Sequence, residues 1–182
     1  YCYELGTSTG QLIRKLAEHN SHKEGTTWVG LDREETMIEK AREHCTGLPN
    51  VELHAEDFFL HDMQKADFIV SYYVLQFVPP RLRQDAFDRI YERLNWGGAL
   101  VLFEKVRGPD ARFQDIANNM YTNFKRQNGL SPDEILNKTD SLKSVMEPFS
   151  TQGNIDLMKR AGFVDIMPVS KWVCFEGFLA IK

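Results

Sequence analysis

Tyr3-Glu4-Leu5-Gly6-Thr7-Ser8-Thr9-Gly10-Gln11-Leu12 reads as the end of a strand, a tight glycine loop and the first turn of a helix. Such a loop sits at the carboxyl end of a strand in an open α/β sheet, where these sheets bind ligands. Gly6 permits the sharp turn and Gly10 the close approach of helix and ligand. Outward from it, strand and helix signals alternate. Strands are expected over residues 1–5, 27–31, 51–55, 67–72 and 99–104, with apolar helical stripes between them, such as Leu12, Ile13, Leu16 and Ala17, then Met37, Ile38 and Ala41. A longer helix follows Pro79-Pro80, and Asn95-Trp96-Gly97-Gly98 is read as its glycine stop. The alternation breaks over residues 108–150. There two helices follow one another, the second opened by Ser131-Pro132-Asp133-Glu134, which has the pattern of a capping box. A helix over 155–161, a strand over 163–169 and a last strand over 172–181 complete the chain. The short 168–171 link makes these two strands an antiparallel hairpin.

The expected fold class is therefore α/β: a Rossmann-like seven-stranded, mostly parallel sheet with an antiparallel last strand, helices on both faces and a helical insertion after strand five. The 182 residues form one domain. The insertion, with its stripe Phe113, Ile116, Ala117, Met120, Tyr121 and Phe124, is expected to act as a lid or a subunit contact, so a homodimer is possible. The chain starts at Tyr1 rather than Met, and an upstream segment is expected.

Hydrophobic residues make up 42% and charged residues 26%, with a net charge of −4, so a general basic surface for gripping nucleic acid is absent. A small-molecule substrate is expected, without stable nucleic-acid binding. No apolar run approaches the ~20 residues that span a bilayer, and the start lacks the basic and apolar regions of a signal peptide. Cys2, Cys45 and Cys174 have neither disulfide nor zinc spacing, and His19, His22, His44, His54 and His61 have no metal-ligand spacing. A cytoplasmic location and a site without metal follow as expectations.

The acids at the strand ends carry the chemistry. Asp32 ends strand two, where a carboxylate suits the two hydroxyls of an unphosphorylated ribose; it equally suits the N-cap of the following helix. Asp57, after strand three, is placed to meet an adenine amine, with Phe58 packing on the ring, although a plain surface turn would use the same residues. Tyr72 ends strand four, where donor and acceptor would meet, and Glu104 ends strand five. Both are candidates for shaping an acceptor pocket, while half-buried aromatics at such places are common.

Acid-x-Gly at Glu4–Gly6, Asp32, Asp57 and Asn95-Trp96-Gly97-Gly98 fall in the order and spacing of the class I S-adenosylmethionine-dependent methyltransferases, which the whole chain resembles. The resemblance implies S-adenosylmethionine, or S-adenosylhomocysteine after transfer, held by Glu4, Gly6, Thr7, Ser8, Gly10, Asp32, Arg33, Asp57, Phe58 and Tyr72. A narrower resemblance rests on Leu75-Gln76-Phe77, the stretch 94–102, Asn119-Met120, Phe124-Lys125-Arg126-Gln127-Asn128-Gly129 and Val145-Met146. These are similar to the carboxy-S-adenosylmethionine synthase family, which takes a carboxyl group from prephenate to make the carboxylated cofactor used in tRNA wobble-uridine modification. It implies an anionic substrate near Lys125 and Arg126, residues that could also be a solvated helix end. Where that family carries an arginine that clamps the extra carboxylate, this chain has Thr139, with Lys138 beside it. Where the family has Asn, this chain has Tyr72. The first reading is therefore a methyltransferase of unknown acceptor, with the synthase as the alternative and an inactive cofactor-binding domain as a third possibility.

Overall fold

The computed structural model describes all 182 residues. Seven strands, β1 (Cys2–Leu5), β2 (Trp28–Asp32), β3 (Val51–Ala55), β4 (Ala66–Tyr72), β5 (Leu94–Lys105), β6 (Asp165–Trp172) and β7 (Phe175–Ile181), lie in the order β3-β2-β1-β4-β5-β7-β6. The first five run parallel, and β7 is antiparallel to both β5 and β6. The order reverses between β1 and β4, so their carboxyl ends diverge and leave a crevice there.

Helices α1 (Gln11–His19) and α2 (Glu35–His44) cover one face with the buried residues Ile13, Ala17, Ile38 and Ala41. On the other side, α3 (Pro80–Arg93) and α6 (Thr151–Ala161) pack together, and Ala86, Phe87, Ile90, Leu157 and Met158 join the main core. Between them run α4 (Ala111–Gln127) and α5 (Pro132–Ser141). Ser131 and Glu134 close the expected capping box at the start of α5. Not one residue of α4 is buried, and Phe113, Ile116 and Met120 are about half exposed.

Three element boundaries differ from the sequence reading. Helix α3 ends at Arg93 with Leu94 already extended, so the glycine pair does not cap it. Instead β5 begins at Leu94, and Gly97, at φ 77°, lies in a bulge that lets Ala66 pair with Leu94 while Phe68 pairs with Ala99. Helix α6 starts at Thr151, because the Ser150 side chain accepts from Gly153 N and caps it one turn early. The final hairpin turns at Val173-Cys174 rather than at 168–171. Pro168 lies inside β6, an edge strand, at a register shift where no ladder hydrogen bond is required of it.

Arg83 ties the insertion to the sheet. It is almost fully buried, and its guanidinium donates to Val78 O (2.6 Å), Gln76 O (3.3 Å) and Glu147 O (2.7 Å) while lying 4.3 Å over the Phe149 ring. The backbone after α5 is thereby fastened to the loop after β4, which bounds the crevice.

Candidate active site

The glycine loop is held from below by Glu4. Its Oε2 accepts from Thr7 Oγ1 (2.5 Å) and from Ile13 N (3.1 Å), and burial of the carboxyl pushes its pKa up to about 7. Glu4 and Thr7 are both buried and line neither the crevice nor the larger cavity beyond it, and through Oε2 Glu4 braces the loop. Gly10, at φ 76°, is the residue before α1. A Cβ there would lie 3.0 Å from Ala41 Cβ and 3.2 Å from Cys45 Sγ, so its smallness serves the α1–α2 seam. Gly6 does face the crevice.

The crevice is a cleft of about 390 Å³, within the range of ligand pockets. Asp32, Arg33, Asp57 and Phe58 line it together, as the sequence placed them. Asp32 Oδ2 accepts from Ser8 N (2.8 Å) and Oδ1 from Glu34 N (3.0 Å), so one carboxylate fixes both the loop and the start of α2. It is not the N-cap expected of it: that position is Glu34, with no side-chain cap, and Asp32 instead holds the turn leading into α2 while lining the cleft. Ser8, at φ 50°, does not line the cleft itself but is tied by its amide to Asp32, which does. Asp57 Oδ1 accepts from Phe59 N (2.9 Å), and its Oδ2 lies 4.0 Å from the Arg33 guanidinium. Phe58 stacks on Phe59 at 4.4 Å and is mostly buried, presenting only part of its ring.

A second cavity, about 1050 Å³, opens beyond Tyr73 and Phe77, which line both spaces. Lys105, Arg107, Lys125, Lys138 and Lys143 line it with a single acid, Glu147. Lys105 and Lys125 sit 5.4 and 4.3 Å from the Tyr121 ring centroid. Partial burial, and then the Lys105 charge, depress the Lys125 pKa. A bound anion would favour the charged form and so oppose both effects. Thr139 also lines this cavity, but its hydroxyl donates to Ile135 O (2.8 Å). Arg126 is exposed and lies outside it, since consecutive helical residues point about 100° apart and only Lys125 faces inward.

Two candidates are displaced. Tyr72 is about half exposed, packs on Phe103 (5.3 Å) and lines neither space; the next residue, Tyr73, takes the place expected for it. Glu104 is fully enclosed beneath the loop after β4, where its Oε1 accepts from Leu75 N (3.0 Å). Burial pushes its pKa up to about 8, and Arg83 only partly offsets this. It positions the loop and does not shape an acceptor pocket. Lys105, Arg107 and Tyr73 were missed. Their signal was location, because all three lie at or just past the carboxyl ends of β4 and β5.

An acid whose folded pKa is raised stabilises the fold only while protonated. That stability is complete below about pH 4.5 and is lost as pH rises through about 8. Glu104→Gln keeps an acceptor for Leu75 N and removes this dependence. Thermal melts are expected to show a smaller loss between pH 5 and pH 8 than in the unaltered protein, by roughly 1–3 kcal/mol. Parallel pH profiles would refute the assignment.

The cleft, with its braced glycine loop, the carboxylate after β2 and the carboxylate after β3, fits S-adenosylmethionine and defines an S-adenosylmethionine-dependent transferase. A family described as "Methyltransferase domain" matches residues 3–100. The human N-acetylserotonin methyltransferase, solved with S-adenosylmethionine, superposes with a TM-score of 0.67 at 21% identity, over all of this chain and 47% of that one. Carboxy-S-adenosyl-L-methionine synthases from Staphylococcus epidermidis and Sulfurimonas denitrificans are 32% and 33% identical over 99% of this chain and over 78% and 76% of their own lengths. The chain belongs to the carboxy-S-adenosyl-L-methionine synthase family.

Proposed function

We propose that this chain makes carboxy-S-adenosylmethionine from S-adenosylmethionine and an anionic carboxyl donor, prephenate. The observation that carries the reading is the cationic cavity that meets the acid-lined nucleoside cleft at Tyr73. Lys143 pairs with Asp140 at 2.7 Å, but Lys105, Arg107, Lys125 and Lys138 form no ion pair. A methyl acceptor would not require so many unpaired cations, whereas a substrate with two carboxylates would. The names of the relatives favour the same reading over the simple methyltransferase expected first. S-adenosylmethionine supplies an activated sulfonium. The protein's part is to hold the nucleoside through Asp32 and Asp57, to neutralise the donor with Lys105 and Lys125, and to exclude water.

Methyl transfer is kept as a second reading on one observation. Thr139 stands where the family has its clamping arginine, and its hydroxyl is committed to Ile135 O. One incubation separates the two. With S-adenosylmethionine and prephenate, mass spectrometry is expected to find the carboxylated cofactor only when both are present. Unchanged S-adenosylmethionine, or accumulation of S-adenosylhomocysteine instead, would defeat the synthase reading.

A further inference from the structure

Tyr73 stands where three concave spaces meet. It lines the nucleoside cleft, the cationic cavity and a shallow aromatic groove formed with Phe103, Tyr121, Phe124, Trp172 and Phe175. Its backbone is held at φ 61°, in the left-handed region that bulky side chains rarely occupy. Residues kept in such conformations persist only when their surroundings over-determine them, and they gather at ligand-facing sites.

Its surroundings do over-determine it. The Tyr73 amide donates to Phe103 O (2.8 Å), which locks it to β5. Its ring meets Phe175 edge-on at 5.6 Å and 89°, and meets Tyr72 at 4.5 Å. The next residue, Val74, presses on the glycine loop, where a Cβ on Gly6 would come within 2.5 Å of Val74 Cγ2. The position of Tyr73 relative to the loop is thereby set by direct packing. Burial pushes the hydroxyl pKa up to about 12, so at neutral pH it remains a donor.

Asp32 and Asp57, which suit ribose and adenine, line the cleft but not the cationic cavity, whereas Tyr73 lines both. The end that Tyr73 closes is then the one that receives the sulfonium and whatever it carries. Beyond the ring lie Lys105 and Lys125.

We propose that Tyr73 is a specificity-determining residue: its ring is the wall that sets which substituent the cofactor can carry at its sulfonium, and how closely that substituent approaches the lysines. The assignment rests on the reading that the cleft holds S-adenosylmethionine.

The test is calorimetric binding of three probes to the whole chain: S-adenosylmethionine, its carboxylated form and adenosine. Tyr73→Ala opens the wall toward the lysines. It is expected to shift the ratio of the two cofactor affinities about tenfold or more toward the carboxylated form. Adenosine, lacking the sulfonium and its substituents, is expected to stop short of the wall, so its affinity should stay within about twofold. Tyr73→Phe keeps the wall and should leave the ratio within about threefold. Tyr73→Leu, which retains apolar packing on Phe175, carries the same expectation as the alanine variant should that one fail to fold. A ratio that stays put, or moves toward S-adenosylmethionine, overturns the proposal. So does a loss of adenosine affinity in step with both cofactors, which would make Tyr73 a prop for the cleft and nothing more. Only binding is read. Failure to make product from prephenate would therefore remove the proposed activity and leave this assignment standing, and an unchanged ratio would do the reverse.

Discussion

Asp32→Ala is expected to weaken S-adenosylmethionine binding by about 1–3 kcal/mol, roughly five- to 150-fold in affinity. The carboxylate already accepts from Ser8 N and Glu34 N, which fixes its plane and aims its remaining acceptor capacity at the cleft. Ribose hydroxyls that meet alanine instead are desolvated without a partner. The same change frees the glycine loop from α2, so part of the effect should also appear as lower thermal stability without ligand. Asp32→Asn keeps the shape and one acceptor and should fall between the two. Calorimetry that finds the alanine variant binding as tightly as the unaltered protein would remove Asp32 from the site.

Replacing Lys105 and Lys125 together by methionine is expected to raise the KM for prephenate by about two orders of magnitude or more, because each charged contact is worth about 1.5–3 kcal/mol. The two ammonium groups share the Tyr121 ring, so their effects should not add and the single variants should each lose less than half in logarithmic terms. S-adenosylmethionine affinity should hardly move. Stability should behave unlike that of an ordinary charge deletion. Lys125 is held below its usual pKa by burial and by Lys105, so its charge costs the fold something, and Lys125→Met is expected to melt no lower than the parent. Steady-state kinetics checks the first expectation and a thermal melt the second. An unchanged KM in the double variant would show that the cavity is not the anion site.

The parts of this protein legible in its sequence were those governed by local rules. Alternating strands and helices, the sharp loop at Gly6, the capping box at Ser131 and the acids Asp32 and Asp57 follow from spacing alone, and the structure places these residues as expected. What escaped depends on direction. Tyr72 and Tyr73 are neighbours of identical chemistry, and only the left-handed turn of Tyr73 decides which ring enters the crevice. Glu4 ends a strand beside the loop, and the bracing of that loop through its Oε2 by Thr7 and Ile13 is a role that spacing does not announce. Lys125 and Arg126 read as a pair until the helix turned one of them outward. The hairpin was misplaced because Pro168 resembles a turn residue wherever it occurs, and nothing in the sequence says that its strand lies at an edge.

The last strand in the chain is not the last in the sheet. β7 lies between β5 and β6, β6 pairs with no other strand, and Phe178 and Ala180 on β7 are completely buried. During synthesis the nascent protein can assemble the crevice from its first half well before β7 exists. In that interval the flank of β5 carries an unpaired row of amides and carbonyls beside an uncovered apolar core. Native assembly is then expected to finish with the long-range pairing of β7 on β5, a contact whose loop-closure cost makes it slow. Ribosome-bound chains stalled before residue 175 should be the ones that chaperones hold.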